Sequence, residues 1–167
     1  MFVTNSEAGP YALTTFCPDT SIPLGRDYCI ARATNVNNGL LYILGAITND
    51  TQWDPLGLYW ATNVNEGTKV NLPTGTQPWD ILQDTNGGSW VLESTPISGS
   101  SNYWVQVVGT QDFANWHDLL RFQSSTFARS FALLNGDFYF GFGCETKQLS
   151  TATGNILRVK SEYFHSD

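Results

Sequence analysis

Three short stretches decide the fold: Asn38-Gly39-Leu40-Leu41-Tyr42-Ile43-Leu44, Asn86-Gly87-Gly88-Ser89-Trp90-Val91-Leu92 and Asn135-Gly136-Asp137-Phe138-Tyr139-Phe140-Gly141. They begin 48 and then 49 residues apart, and each reads Asn-Gly, two residues, an aromatic residue and then further residues that are mostly apolar. Asn-Gly favours the type I′ turn of a tight hairpin, because both of its central residues adopt positive φ. Each stretch therefore predicts a turn between two antiparallel strands, and the chain repeats it three times.

The strands around these turns recur with the same spacing. First strands are predicted at 30–34, 78–82 and 127–131, third strands at 57–62, 103–110 and 155–159, and fourth strands at 69–72, 118–122 and 162–164. Four short strands in about 48 residues fit a β-propeller blade. Apolar residues on both strand faces, as in Asp137-Phe138-Tyr139-Phe140, suit a sheet that lies between neighbouring sheets.

We therefore predict an all-β, propeller-like chain of three four-stranded antiparallel blades. The blades span about 26–75, 76–123 and 124–167 within one domain, and an N-terminal segment, 1–25, contributes one strand at 10–16. The alternative is a β-sandwich in which the repeats are coincidental.

The number of blades raises the question of how the ring would close. Propellers close with about four to eight blades, so three blades leave apolar faces exposed. Either two chains pair as a homodimer with six blades, or the sequence is a piece of a longer propeller. The strand at 10–16 could complete the short third blade in either case. A two-fold dimer is the commonest assembly symmetry.

Charge and composition exclude several classes of partner. The net charge is −7 and the pI is about 4.6, which argues against nucleic acid and against anionic membranes. No apolar run is long enough to span a bilayer. The N-terminus lacks the pattern of a secretory leader, so we expect a cytoplasmic protein, or an extracellular one if a leader precedes this sequence. The three cysteines and two histidines are not spaced as metal ligands, and we expect no metal and no cofactor.

The candidate ligand-binding residues are predicted to meet on the propeller face opposite the Asn-Gly turns. They are Arg32, Trp79, Asp80, Arg129 and Glu145. Guanidinium and carboxylate groups bind sugar hydroxyls, an arginine also binds carboxylates, and a tryptophan offers a flat apolar surface. This set predicts non-catalytic binding of a glycan or a small anionic ligand. Alternatively, Arg32, Asp80 and Arg129 pair with one another or cap backbone carbonyls in the channel.

Glycoside hydrolysis is the second interpretation, and a structural or protein-interaction propeller is the third. Hydrolysis needs two carboxyl groups on either side of the scissile bond, and the candidates are Asp80, Glu93 and Glu145. The first strand of each blade is the inner strand, and its equivalent positions are Arg32, Asp80 and Arg129. They supply one carboxylate and two arginines, which favours binding over catalysis.

One stretch carries a family resemblance. Gly109-Thr110-Gln111-Asp112-Phe113-Ala114-Asn115-Trp116 resembles the S-x-D-x-x-N-W hairpin of five-bladed propeller glycosidases. The resemblance implies that Asp112 closes the turn between the third and fourth strands and that Trp116 packs between blades. Both would then be structural, like Asn38, Gly39, Asn86, Gly87, Asn135 and Gly136; the alternative for Trp116 is a sugar contact.

A second resemblance rests on the inner strands. Those glycosidases place several acidic residues there, whereas this sequence places Arg32, Asp80 and Arg129. The presence of two inner-strand arginines resembles sialidase-like propellers, in which arginines on the inner strands bind a carboxylate. Sialidases also need a tyrosine nucleophile, and we assign none here.

Overall fold

A computed structural model describes residues 4–5, 9–10, 28–49, 52–63, 66–73, 77–135, 137–142 and 156–159. Every regular element within these ranges is a β-strand. The described residues contain no helix with the length and apolar character needed to cross a membrane. The chain divides into two compact units, Met1–Asn71 and Leu72–Asp167.

The first unit contains a four-stranded antiparallel meander. Its strands are β3 (Tyr28–Val36), β4 (Gly39–Asn49), β5 (Gln52–Asn63) and β6 (Glu66–Val70), paired in that order. A short ribbon of β1 (Thr4–Asn5) and β2 (Gly9–Pro10) precedes them. Tyr42 and Tyr59 are cross-strand partners whose buried rings stack with centroids 5.7 Å apart. This pair forms the centre of the unit's apolar cluster together with Leu44 and Ala61.

The second unit contains two sheets. The second sheet is a four-stranded meander of β7 (Gln77–Gln83), β8 (Ser89–Pro96), β9 (Tyr103–Thr110) and β10 (Trp116–Ser124). The third sheet pairs β11 (Ala128–Leu134) with β12 (Asp137–Phe142), and β12 with β13 (Ile156–Val159). The all-β, propeller-like fold class is thereby confirmed. The predicted strand at 162–164 and residues 11–16 of the predicted N-terminal strand lie outside the described residues, and the predicted homodimer and the single domain stay predictions.

Aromatic side chains pack the second sheet against the third. Trp90 meets Phe138 edge to face at 5.3 Å, and Phe122 meets Phe140 in the same way at 5.1 Å. The innermost strands of the two sheets, β7 and β11, also contact each other. The second and third sheets thus stack face to face with their first strands adjacent. Apolar residues on both strand faces predict such stacking.

Two of the predicted Asn-Gly turns need correction. In the first unit the two-residue turn is Asn37-Asn38, with φ of 49° and 58°, and Gly39 is already paired with Val36 in the strand ladder. Both asparagines adopt the left-handed conformation that a type I′ turn requires, and asparagine tolerates it better than most residues. The turn therefore lies one residue earlier than predicted.

The second hairpin has a longer loop. Gln83 pairs with Ser89, and the amide of Gly87 donates to the carbonyl of Asp84 at 3.1 Å. Gly87 has a positive φ of 87°, but Asn86 does not, so this loop is not a type I′ turn. The third hairpin joins Leu134 to Asp137 with Asn135 at φ 53°, as predicted, while Gly136 lies outside the described residues.

Each innermost strand carries a β-bulge near its start. The strand pairing shifts between Ile30 and Arg32, between Pro78 and Asp80, and between Ala128 and Ser130. Arg32 and Asp80 therefore follow a bulge, whereas Arg129 is itself the bulged residue. The predicted equivalence of Arg32, Asp80 and Arg129 is off by one residue in the third sheet, because the first hairpin turns at Asn37 and not at Asn38.

Candidate ligand-binding site

Four side chains gather at the end of the second unit where β7 and β11 begin, which we call the strand-start end. The Arg129 cluster consists of Trp79, Tyr103, Phe127 and Arg129. Trp79 stacks on Phe127 with ring centroids 4.9 Å apart, and Tyr103 meets Phe127 edge to face at 5.6 Å. The guanidinium carbon of Arg129 lies 4.7 Å from the centre of the Phe127 ring and 5.4 Å from that of Trp79. The structure thus brings together two of the predicted ligand-binding residues.

The position of Arg129 is unusual for a charged side chain. It is half buried, and its Nε–H is fully buried with no hydrogen-bond partner among the described residues. Aromatic rings attract the guanidinium through their electron-rich faces. They accept no conventional hydrogen bond in the plane of the group, so the N–H edge keeps its donor capacity. A buried donor without an acceptor costs free energy.

Trp79 is more deeply buried than a surface for sugar stacking would be. Only 5% of the residue is exposed, and its ring contacts Phe127 and Arg129. The ring therefore packs against the guanidinium and Phe127 and offers little surface to a ligand. Tyr103 and Phe127 are both half buried at the rim of the cluster.

Asp80 binds backbone amides instead of facing solvent. Its Oδ1 accepts from the amide of Ile81 at 3.0 Å, and its Oδ2 accepts from the amide of Phe131 in β11 at 3.1 Å. The residue is 8% exposed. These two hydrogen bonds of the carboxylate are therefore to backbone amides, one in its own strand and one in the third sheet.

The remaining carboxylate candidates do not join Asp80. Paired residues of neighbouring strands share a sheet face, and Asp80 pairs with Leu92, so Glu93 projects from the opposite face of the second sheet. Glu93 is 1% exposed. Glu145 lies outside the described residues.

Arg32 belongs to the first unit. It is exposed, its Nη1 donates to the carbonyl of Ala31 at 2.8 Å, and its guanidinium lies 5.9 Å from the centre of the Trp53 ring. The predicted meeting of Arg32 with Asp80 and Arg129 stays a prediction.

Asp112 lies in the turn between β9 and β10. Its Oδ1 accepts from the amides of Asn115 at 2.7 Å and Ala114 at 2.9 Å, and its Oδ2 accepts from Nδ2 of Asn115 at 2.8 Å. These hydrogen bonds, led by those from Asn115, lower the pKa of the Asp112 carboxyl from 3.8 to about 2. Trp116 is half buried at the start of β10, and its packing between blades stays a prediction.

The depressed pKa of Asp112 makes its contribution to stability depend on pH. The contribution is complete above the unfolded value near 3.8 and is lost as the pH falls through the folded value of about 2. We expect the stability difference between wild type and Asp112→Asn to be largest above pH ~4 and to shrink towards pH ~2. Urea unfolding at a series of pH values measures it.

The control for this experiment is Asp84→Asn in the neighbouring loop, whose carboxylate accepts from the side chains of Thr85 and Gln111. It removes a loop carboxylate that accepts from side chains, so the comparison isolates the contribution of the backbone amides that bind Asp112. An Asp112→Asn variant whose difference from wild type stays constant with pH would contradict the assigned role.

Sequence reasoning missed Phe127 and Tyr103 as members of the cluster. The sequence predicts Phe127 in a first strand and Tyr103 in a third strand; in the structure Phe127 lies just before β11, and Tyr103 begins β9. One available signal was the aromatic residue at the start of β9, because antiparallel pairing through β8 brings that start to the end of the second sheet where β7 begins. The other was the aromatic residue just before β11 in the third sheet.

The described residues show no metal site. No three histidine, cysteine, aspartate or glutamate side chains of the described part of the chain come together as ligands. Cys29 is a free, half-buried thiol, and burial raises the pKa of that thiol.

Comparisons with known proteins add one distant likeness. No family model matches the chain, and no curated protein matches it in sequence. Among solved structures, the chain is similar to a Bombyx mori GH32 beta-fructofuranosidase mutant in complex with sucrose. The identity is 14% and the TM-score 0.45, over 82% of this chain and 37% of that chain. The chain thus spans little more than a third of that protein, and the fold assignment rests on the sheets described above.

Proposed function

We propose that the strand-start end of the second unit binds a small anionic or carbohydrate-like ligand without catalysis, and that Arg129 contacts the ligand directly. One observation carries the proposal: a half-buried guanidinium lies beside two aromatic rings, which accept no conventional hydrogen bond from its N–H donors.

The chemistry of the guanidinium suits this role. The guanidinium carries its N–H donors in a fixed planar fork, and the aromatic rings beside it accept no conventional hydrogen bond from them. A carboxylate matches two of these donors at once, and sugar hydroxyls accept them singly. The phenol of Tyr103, at the rim of the cluster, supplies a further donor and acceptor. The ligand class is therefore an acidic sugar or a related small anion.

Hydrolysis has less support than binding. Asp80 already accepts two backbone amides, and Glu93 projects from the other face of its sheet. Two carboxyl groups on opposite faces of a sheet cannot flank one glycosidic bond.

The first experiment compares wild type with Arg129→Ala on a glycan array that contains neutral, uronic acid and sialic acid glycans. We expect wild type to bind acidic glycans and the variant to lose at least about tenfold in affinity, because a hydrogen bond to a charged group contributes about 1.5–3 kcal/mol.

Arg121→Ala is the matched control. Arg121 also lies over a tryptophan, with its guanidinium carbon 4.1 Å from the centre of the Trp104 ring, but on the exposed outer strand β10. Its removal should leave binding unchanged. If wild type binds no glycan and no small anion, or if Arg129→Ala binds as wild type does, the proposal is wrong and the structural or protein-interaction alternative is favoured.

A further inference from the structure

The two central residues of the Arg129 cluster occupy the bulges of the innermost strands. Trp79 is the unpaired residue of β7, and Arg129 is the unpaired residue of β11. A bulge takes a residue out of the ladder and re-aims its side chain. The ladder of the third sheet therefore does not by itself fix the direction of Arg129.

Two hydrogen bonds from the second sheet hold the backbone on either side of Arg129. The hydroxyl of Ser94 donates to the carbonyl of Ala128 at 3.3 Å, and the amide of Phe131 donates to Oδ2 of Asp80 at 3.1 Å. Ser94 is 2% exposed and Asp80 is 8% exposed, so both bonds are shielded from water. They connect β8 and β7 to the bulged start of β11.

Asp80 also links the two bulges. Its Oδ1 accepts from the amide of Ile81, the second residue after Trp79, while its Oδ2 accepts from Phe131, the second residue after Arg129. A single carboxylate thus holds both bulged strands in one arrangement. The ring of Trp79 and the guanidinium of Arg129 meet at the sheet end where this carboxylate connects the two strands.

We infer that Asp80 and Ser94 are positioning residues for Arg129: they fix residues 128–131 against the second sheet, and this places the guanidinium over Trp79 and Phe127. The consequence for ligand binding rests on the proposed function, whereas the positioning itself can be measured without a ligand.

The experiment observes the Nε–H group of Arg129 by NMR in wild type, Asp80→Asn and Ser94→Ala. Burial should make this proton exchange slowly in wild type, and the two rings should displace its resonance. In both variants we expect the resonance to shift and to exchange faster, because the guanidinium leaves its place over the rings. The Nε–H of Arg121, which lies over Trp104 on the same sheet, should be unchanged and serves as an internal reference.

Thr110→Val is the matched control variant. It removes another buried hydroxyl of the second sheet, which donates to the carbonyl of Asn115 at 2.7 Å at the opposite sheet end. A purely structural effect on the sheet would appear in this variant too. Positioning predicts an unchanged Arg129 resonance in Thr110→Val and a displaced one in Ser94→Ala. Ser94→Ala also keeps the test decisive if Asp80→Asn does not fold.

Binding of glucuronate and of N-acetylneuraminate is then measured on the same variants. We expect affinity about tenfold lower in Ser94→Ala, as for the loss of one buried hydrogen bond, and unchanged affinity in Thr110→Val. An Arg129 resonance that is the same in wild type and both positioning variants would overturn the inference. If the Arg129 resonance is displaced in the variants but wild type binds neither acid, the result supports positioning and counts against the proposed function.

Discussion

Truncation of Phe140 to alanine is expected to lower the free energy of unfolding by about 3–5 kcal/mol. The side chain is completely buried, and its ring centroid lies 5.1 Å from that of Phe122, 6.2 Å from that of Phe138 and 6.4 Å from that of Phe131. The contact with Phe122 joins the third sheet to the second. Removal of the ring leaves a cavity between two sheets whose strands cannot collapse into it without breaking their ladders.

Chemical denaturation of the variant measures this loss, with Leu134→Ala as the control. Leu134 belongs to the neighbouring strand β11, but it is 57% exposed, so its truncation should change stability by no more than about 0.5 kcal/mol. If Phe140→Ala costs as little as Leu134→Ala, the second and third sheets do not pack through this aromatic layer.

The strand order could be predicted from the sequence because the hairpin signals are local. Asn-rich turns and the apolar residues after them locate the strands of all three sheets. The errors are also local: Asn37 and Asn38 both adopt left-handed backbone, and the loop after Gln83 is longer than two residues. Single-residue differences of this kind leave the composition of a turn almost unchanged, yet they reverse which strand face each side chain occupies.

The candidate site could be predicted only in part. Trp79 and Arg129 follow from their places near the starts of innermost strands. The role of Asp80 did not follow, because its donor partner, the amide of Phe131, is 51 residues away in the chain. A bulge leaves no clear sequence signal, so the amides that need an acceptor are visible only once both strands are in place.

Truncation of Tyr42 to alanine in the first unit is expected to lower the free energy of unfolding by a similar amount, about 3–5 kcal/mol. The residue is fully buried, and its ring stacks on that of Tyr59 with an interplanar angle of 20°. Tyr42→Phe is the control, since it keeps the stacked ring and should cost no more than about 1.5 kcal/mol.

The comparison of Tyr42→Ala with Phe140→Ala also tests the predicted single domain, because the two residues lie in different compact units. A two-state domain loses all of its structure in one transition, so every probe reports the same midpoint. For one domain, either substitution lowers the hydrogen-exchange protection of amides in β4 and in β12 alike. If Tyr42→Ala lowers the protection of β4 alone, and Phe140→Ala that of β12 alone, the units unfold independently. The sheet of the first unit would then be stable without the second, and the prediction of one domain would be wrong.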